Sequence, residues 1–69
     1  MYRVLSKIGN KETKVLDSYI YKGNAIKFMD AQVRRLVAGG AKVQLLENNN
    51  FLITGLMSGT INMDLAEVL

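Results

Sequence analysis

The alternation of apolar and polar residues predicts a β-hairpin at the start of the chain. Residues 2 to 8 and 13 to 22 are rich in Val, Ile, Leu and Tyr, and the polar run Gly9-Asn10-Lys11-Glu12 lies between them. The connection has an even length, so the two strands pair positions whose numbers sum to 21. The side chains of two paired residues lie on the same face of the hairpin. The register pairs are Tyr2 with Tyr19, Arg3 with Ser18, Val4 with Asp17, Leu5 with Leu16, Ser6 with Val15, Lys7 with Lys14, and Ile8 with Thr13.

The two faces of this hairpin differ in chemistry. The face with Tyr2, Tyr19 and Tyr21 is the more apolar, so we expect it to meet the core, with Asp17 accepting a hydrogen bond from a tyrosine hydroxyl. On the other face Lys7 lies opposite Lys14, which is unfavourable in a bare sheet. This pair indicates an anionic partner or a different register, although lysines also protect sheet edges against aggregation.

One helix follows the hairpin. Asn24 is a favourable N-cap, and Gly39-Gly40 predicts the C-terminal end because glycine readily adopts a left-handed conformation. Asp30 and Arg34 are spaced as an ion pair on one helical face. The predicted core face comprises Ala25, Ile26, Met29, Val33, Leu36 and Val37, with Phe28 at its flank.

The remaining residues predict three strands. The third strand spans residues 41 to 47, the asparagines at 48 to 50 form a turn, and the fourth strand spans residues 51 to 54. Residues 61 to 69 alternate as a half-buried fifth strand, with a short C-terminal helix from Asp64 as the alternative. The expected fold is a single α+β domain over residues 1–69, a two-layer ββαβββ arrangement with a mostly antiparallel sheet and a single helix packed on one face.

A single helix shields only one side of such a sheet. The remaining apolar surface is expected to meet a second copy or another protein, so we predict a homo-oligomer. The small size of the chain favours the same outcome, because it contains no Cys for disulfides and no His or Cys for a stabilising metal. The predicted oligomer interface comprises Leu46, Phe51, Leu52, Ile53, Leu56 and Met57.

The absence of Cys and His also limits the catalytic mechanisms open to this chain. Without Cys or His there is no thiol nucleophile and no imidazole base, and the acids are scattered along the chain. We therefore expect a non-enzymatic protein with no cofactor, no metal and no catalytic residue. An enzyme that uses carboxylates and lysine is the remaining catalytic alternative.

The charge is distributed unevenly along the chain. Residues 1 to 42 hold all nine Lys and Arg and carry a net charge of +6, whereas residues 43 to 69 hold three acids and no base, a net charge of −3. This asymmetry predicts contact with a protein or a small anionic ligand, and nucleic-acid binding through the basic hairpin is the alternative. The side chains predicted to bind the anion or partner are Arg3, Lys7, Lys14, Lys22, Arg34 and Arg35.

The N-terminal residues Met1 to Lys7 carry charges where a signal peptide requires an apolar segment, and no apolar run approaches the ~20 residues of a membrane span. We therefore expect a cytoplasmic protein with no membrane partner. In its size and its hairpin, helix, hairpin pattern without thiols, the chain is similar to the many small accessory proteins of phages and mobile elements. That resemblance implies an accessory or inhibitor protein that acts by stoichiometric binding.

Overall fold

The chain folds as a five-stranded sheet with one α-helix. The computed structural model describes residues 1–57 and 59–68, and at residue 48 it describes the backbone alone. The strand order is β2-β1-β5-β4-β3, all neighbours are antiparallel, and the α+β prediction of order ββαβββ is confirmed. The elements are β1 (Tyr2–Ile8), β2 (Lys14–Tyr19), α1 (Lys22–Ala38), β3 (Lys42–Leu45), a 3₁₀ turn (Glu47–Asn49), β4 (Phe51–Thr54) and β5 (Ile61–Glu67).

The last strand occupies the centre of the sheet. β5 pairs with β1 from Tyr2 opposite Glu67 to Ile8 opposite Ile61, and with β4 on its other side. Pairing with β1 runs along the whole of β5, including residues 64 to 67, so the strand prediction for this segment is confirmed and the alternative helix from Asp64 is wrong. Leu69, which the predicted strand included, lies outside the described residues.

The core lies between α1 and one face of the sheet. Val4 and Met63 from the sheet and Met29 from the helix are almost completely buried. Tyr2 and Tyr19 pack against this cluster, which confirms the inward direction of the tyrosine face for these two residues, whereas Tyr21 is the N-cap residue of α1 and is exposed. The ring of Tyr19 contacts Phe28, with 5.9 Å between the ring centroids. The helix therefore lies with its Phe28 flank over the β2 side of the sheet.

Three residues of the predicted oligomer interface belong to the core of the monomer. Ile53 is fully buried, and Phe51 and Leu56 pack against the core cluster. Side chains alternate along a strand, so Phe51 and Ile53 share the face of β4 that lies beneath the helix. Ile53 is therefore covered by the monomer itself, whereas Phe51 and Leu56 are only partly buried and their place in an oligomer interface stays a prediction.

The helix begins earlier than the sequence predicts and ends where expected. Tyr21 rather than Asn24 is the N-cap residue, and it makes no side-chain capping bond. At the other end, Gly40 has a φ of 100°, its N–H donates to Val37 O, and the N–H of Ala41 donates to Leu36 O. These two bonds form a Schellman motif. Within the described residues, no helix combines the length and the apolar character needed to cross a bilayer.

A β-bulge changes the register of the hairpin. The predicted pairs hold from Tyr2 opposite Tyr19 to Val4 opposite Asp17, but Leu5 then pairs with Val15 and Ser6 with Lys14. Leu16 is the extra residue. The predicted pair of Lys7 with Lys14 does not form, and Lys14 shares a face with Ser6 on the helix side of the sheet.

Candidate partner-binding face

The sheet has one face that α1 does not cover, which we call the open face. Its members follow from the register, because they alternate with Val4, Ile53 and Met63, which are buried beneath the helix. None of the described helices packs on it. The open face comprises Arg3, Leu5 and Lys7 of β1, Val15 and Ser18 of β2, Asn62, Asp64 and Ala66 of β5, Leu52 and Thr54 of β4, and Lys42 and Gln44 of β3.

Two exposed cations of β1 flank an apolar position on this face. Arg3 and Lys7 lie on either side of the half-buried Leu5, and their Cα atoms are about 13 Å apart because each strand residue rises ~3.3 Å. Asp64 of β5 lies directly opposite Leu5 and is half-buried, and its Oδ1 accepts a hydrogen bond of 2.8 Å from the N–H of Leu65. The face therefore presents positive charge on both sides of a carboxylate and a leucine.

A shallow cavity marks the same region. It has a volume of about 140 Å³ and is lined by Leu5, Ser6, Lys7, Thr13, Asn62 and Asp64. Ligand pockets for drug-sized molecules are larger, at roughly 300–1,000 Å³. The cavity is therefore large enough for one protruding group, such as a single side chain of a partner.

Apolar side chains in the middle of the open face are only half-covered. Leu5, Leu52 and Ala66 have no second layer over them in the described structure and are half-buried by their neighbours in the sheet. Of the six residues predicted to form an oligomer interface, only Leu52 lies on this face. Leu46 is 37% exposed at the end of β3, and Met57 is fully exposed in the loop after β4.

The structure does not gather the six predicted basic residues into one site. Only Arg3 and Lys7 lie on the open face. Lys14 lies on the helix side beside Ser6, and Lys22 lines a separate cavity of about 160 Å³ together with Tyr2, Asn49, Leu65 and Glu67. Arg34 and Arg35 are exposed on α1, and the sheet separates this helix from the open face.

Two further observations complete the charge arrangement. Arg34 Nε contacts Asp30 Oδ2 at 2.9 Å, as the helical spacing predicts, so a carboxylate already accompanies this guanidinium. Lys42, which the sequence reasoning missed, is exposed on the open face. Lys42 and Gln44 are two positions apart in the third strand, so they share a face. The sequence shows which face this is only once Val43 is known to lie on the helix side.

Asp17 and Tyr19 form a local hydrogen bond at the edge of the sheet. The hydroxyl of Tyr19 donates to Asp17 Oδ2 at 2.8 Å, which confirms the expected tyrosine–carboxylate contact, and the N–H of Ser18 donates to Asp17 Oδ1. Partial desolvation, this hydrogen bond and the negative charge of Asp17 together raise the pKa of the Tyr19 phenol above its ordinary value.

We expect Asp17→Asn to lower the pKa of Tyr19 toward its ordinary value, because the substitution removes the charge and weakens the hydrogen bond. The raised pKa also means that this contact stabilises the fold below the ordinary phenol pKa and that the stabilisation is lost as the pH rises through the folded-state pKa. An alkaline NMR titration of the tyrosine rings measures both effects. Asp30→Asn, which removes the carboxylate paired with Arg34, is the control that leaves Tyr19 unchanged.

Within the described residues, no group of three or more carboxylates comes together in a way that could hold a metal ion. The open face combines exposed charge, half-covered apolar side chains and a shallow cavity. A larger cavity of about 290 Å³ lies at the turn end of the hairpin and is lined by Ser6, Ile8, Lys11, Glu12, Lys14 and Leu16. Comparison of the chain with protein-family models, with curated proteins and with solved structures returns no match.

Proposed function

We propose that this protein is a small, non-enzymatic binding module of the cytoplasm that associates with itself and contacts its partner stoichiometrically, as an accessory or inhibitor protein does. The contact surface is the open face. The observation that carries the proposal is the pair of exposed cations Arg3 and Lys7 on either side of the half-buried Leu5, on a sheet face without a covering layer.

An acidic protein surface fits this face better than the other partners considered. The cavity of about 140 Å³ holds too little volume for most small organic anions. Asp64 lies between the two cations and repels a uniform polyanion, which disfavours nucleic acid. Stacking of bases on the open face also needs aromatic rings there, whereas Tyr2 and Tyr19 pack against the core and the exposed Tyr21 is the N-cap residue of α1. A partner that combines carboxylates with apolar side chains complements both the charge and the leucines.

The double variant Arg3→Glu/Lys7→Glu is expected to weaken binding of an acidic, leucine-containing peptide by at least about tenfold, which is ~1.4 kcal/mol. The matched control is Lys27→Glu/Arg35→Glu, which reverses the same number of exposed charges on α1. NMR titration of the labelled protein measures the affinity and shows which amides shift. The expected shifts fall on β1 and β5, and the control keeps the affinity of the unaltered protein.

A second titration uses labelled single-stranded and duplex DNA and RNA at low and moderate salt. Tight binding that falls by orders of magnitude as salt rises would replace the proposed protein partner by nucleic acid, the alternative function. Equal loss of peptide binding in both double variants would also contradict the proposal, because it would show a response to net charge rather than to the open face.

A further inference from the structure

The two edges of the sheet differ in how readily they accept another strand. The edge strand β2 contains the bulge at Leu16, and bulges are one way in which proteins protect an exposed edge. The opposite edge strand, β3, pairs with β4 in continuous register from Lys42 opposite Thr54 to Leu45 opposite Phe51. No described residue pairs with its outer side. β3 is therefore the regular edge on which a further strand can add.

The backbone groups on this edge can be assigned residue by residue. The N–H of Leu46 donates to Asn50 O, so Leu46 bonds toward β4. Bonding direction alternates along an antiparallel strand, so Gln44 also bonds toward β4, whereas Val43 and Leu45 direct their N–H and C=O groups outward. The same two residues are 40% and 65% exposed.

Exposed apolar side chains lie beside this edge on the helix side. Val43 and Leu45 share the helix side with Ile53, since Val43 lies opposite Ile53 in the register. The flank of α1 opposite Phe28 faces this half of the sheet, because Phe28 contacts Tyr19 at the other edge. Val37 lies on that flank and is 45% exposed. The edge therefore offers both unpaired backbone groups and uncovered apolar side chains.

We propose that a second copy of this chain pairs antiparallel along β3, with Gln44 at the two-fold axis, and forms one continuous sheet across the dimer. Val43 then lies opposite Leu45 of the partner subunit, and the symmetry repeats the pair. Both residues of each pair direct their backbone groups outward, so the two pairs form the hydrogen bonds of a regular ladder. The inference specifies the interface for the self-association that the proposed function includes, and this interface lies at the β3 edge, which β5 and β4 separate from Arg3 and Lys7 of β1.

Self-complementarity favours a second copy over an unrelated strand. The two-fold axis places Val43 opposite Leu45 of the partner subunit at two positions, and these side chains are exposed in the monomer. Both residues direct their backbone groups outward, so each donor meets an acceptor. An extended peptide from another protein would gain the backbone bonds but would have no fixed match for the two apolar side chains.

Native mass spectrometry at micromolar concentration is expected to show a species at twice the 7.7 kDa monomer mass. Leu45→Lys should convert it to monomer, because the substitution places a charge in the apolar pair while changing a side chain that is already 65% exposed. Val15→Lys, at an exposed position on β2, is the matched control and should remain dimeric. A monomeric unaltered protein, or a dimer that only Val15→Lys dissociates, would overturn the proposal.

A further experiment tests the register. Because the chain has no Cys, Gln44→Cys introduces a single thiol at the axis, where the Cα atoms of the two copies approach to about 4.5 Å, within disulfide range. Oxidation should therefore link the copies through Gln44→Cys, whereas Ser18→Cys on β2 stays unlinked. The opposite pattern contradicts pairing along β3.

The failure of this inference and that of the proposed function are distinguishable. Leu45→Lys leaves the open-face residues Arg3 and Lys7 intact, so its monomer should still bind the acidic peptide. Conversely, Arg3→Glu/Lys7→Glu should remain dimeric while losing the peptide. Loss of both properties in either variant would show that the two surfaces are not separate.

Discussion

Ile53→Ala is expected to lower the free energy of unfolding by about 3 kcal/mol, within the range of truncated core isoleucines. The side chain is completely buried between β4 and α1, and its cross-strand neighbours Val43 and Ile61 cannot fill the vacated volume without moving the sheet. Urea denaturation at a fixed protein concentration measures the change, since self-association makes the apparent stability depend on concentration.

The adjacent residue provides the control. Leu52 lies on the open face and is half-buried, so Leu52→Ala should cost less than about 1 kcal/mol, because little packed volume surrounds it. The ratio of the two losses tests the assignment of faces in β4. If Leu52→Ala were as destabilising as Ile53→Ala, a second layer would have to cover the open face, which contradicts its role as a free binding surface.

Gly40→Ala is expected to destabilise the fold by about 1–2 kcal/mol, through the backbone alone. Gly40 has a φ of 100°, and a Cβ atom placed there would meet no atom within 4 Å. The cost therefore reflects the positive φ, which is unfavourable for an L-residue with a Cβ atom. The substitution weakens the two hydrogen bonds that end α1 and direct the chain into β3.

Gly23→Ala is the matched control for that prediction. Gly23 lies in the first turn of α1 with a helical φ, and its Cβ position is also open. Alanine there should stabilise the protein by up to about 1 kcal/mol, because it restricts the unfolded chain and has the higher helix propensity. Thermal unfolding compares the two variants. Equal effects of the two substitutions would show that the helix end does not depend on the left-handed glycine.

Much of the fold follows from local sequence patterns. The spacing of apolar residues predicts the core face of α1, and Ala25, Met29 and Val33 are buried. Ile26 and Val37, which the same spacing assigned to the core, are exposed at the margins of that face. Gly39-Gly40 marks the end of the helix, and the alternation after Thr60 marks β5. The N-terminal end of α1 was less predictable, because Asn24 has the chemistry of an N-cap while the N-cap residue is Tyr21, three positions earlier, without a capping side-chain bond.

The candidate site was less predictable than the fold. The basic residues are visible in the sequence, but their faces depend on the register, and the bulge at Leu16 moves Lys14 to the helix side. An extra residue in one strand reverses the facing of every residue beyond it. Nothing in the local pattern of residues 14 to 17 distinguishes this bulge from a regular pair.

The sequence by itself determined the elements, their order and the absence of thiol and imidazole chemistry, because these depend on residue type and on neighbours a few positions apart. Only the tertiary structure decided that β5 enters between β1 and β4, which buries Ile53 and places Asp64 between the cations of β1. Strand order and burial depend on contacts between distant residues, and those contacts form only when the whole sheet assembles beneath the helix. The same assembly left β3 as the regular edge and the open face as the uncovered surface.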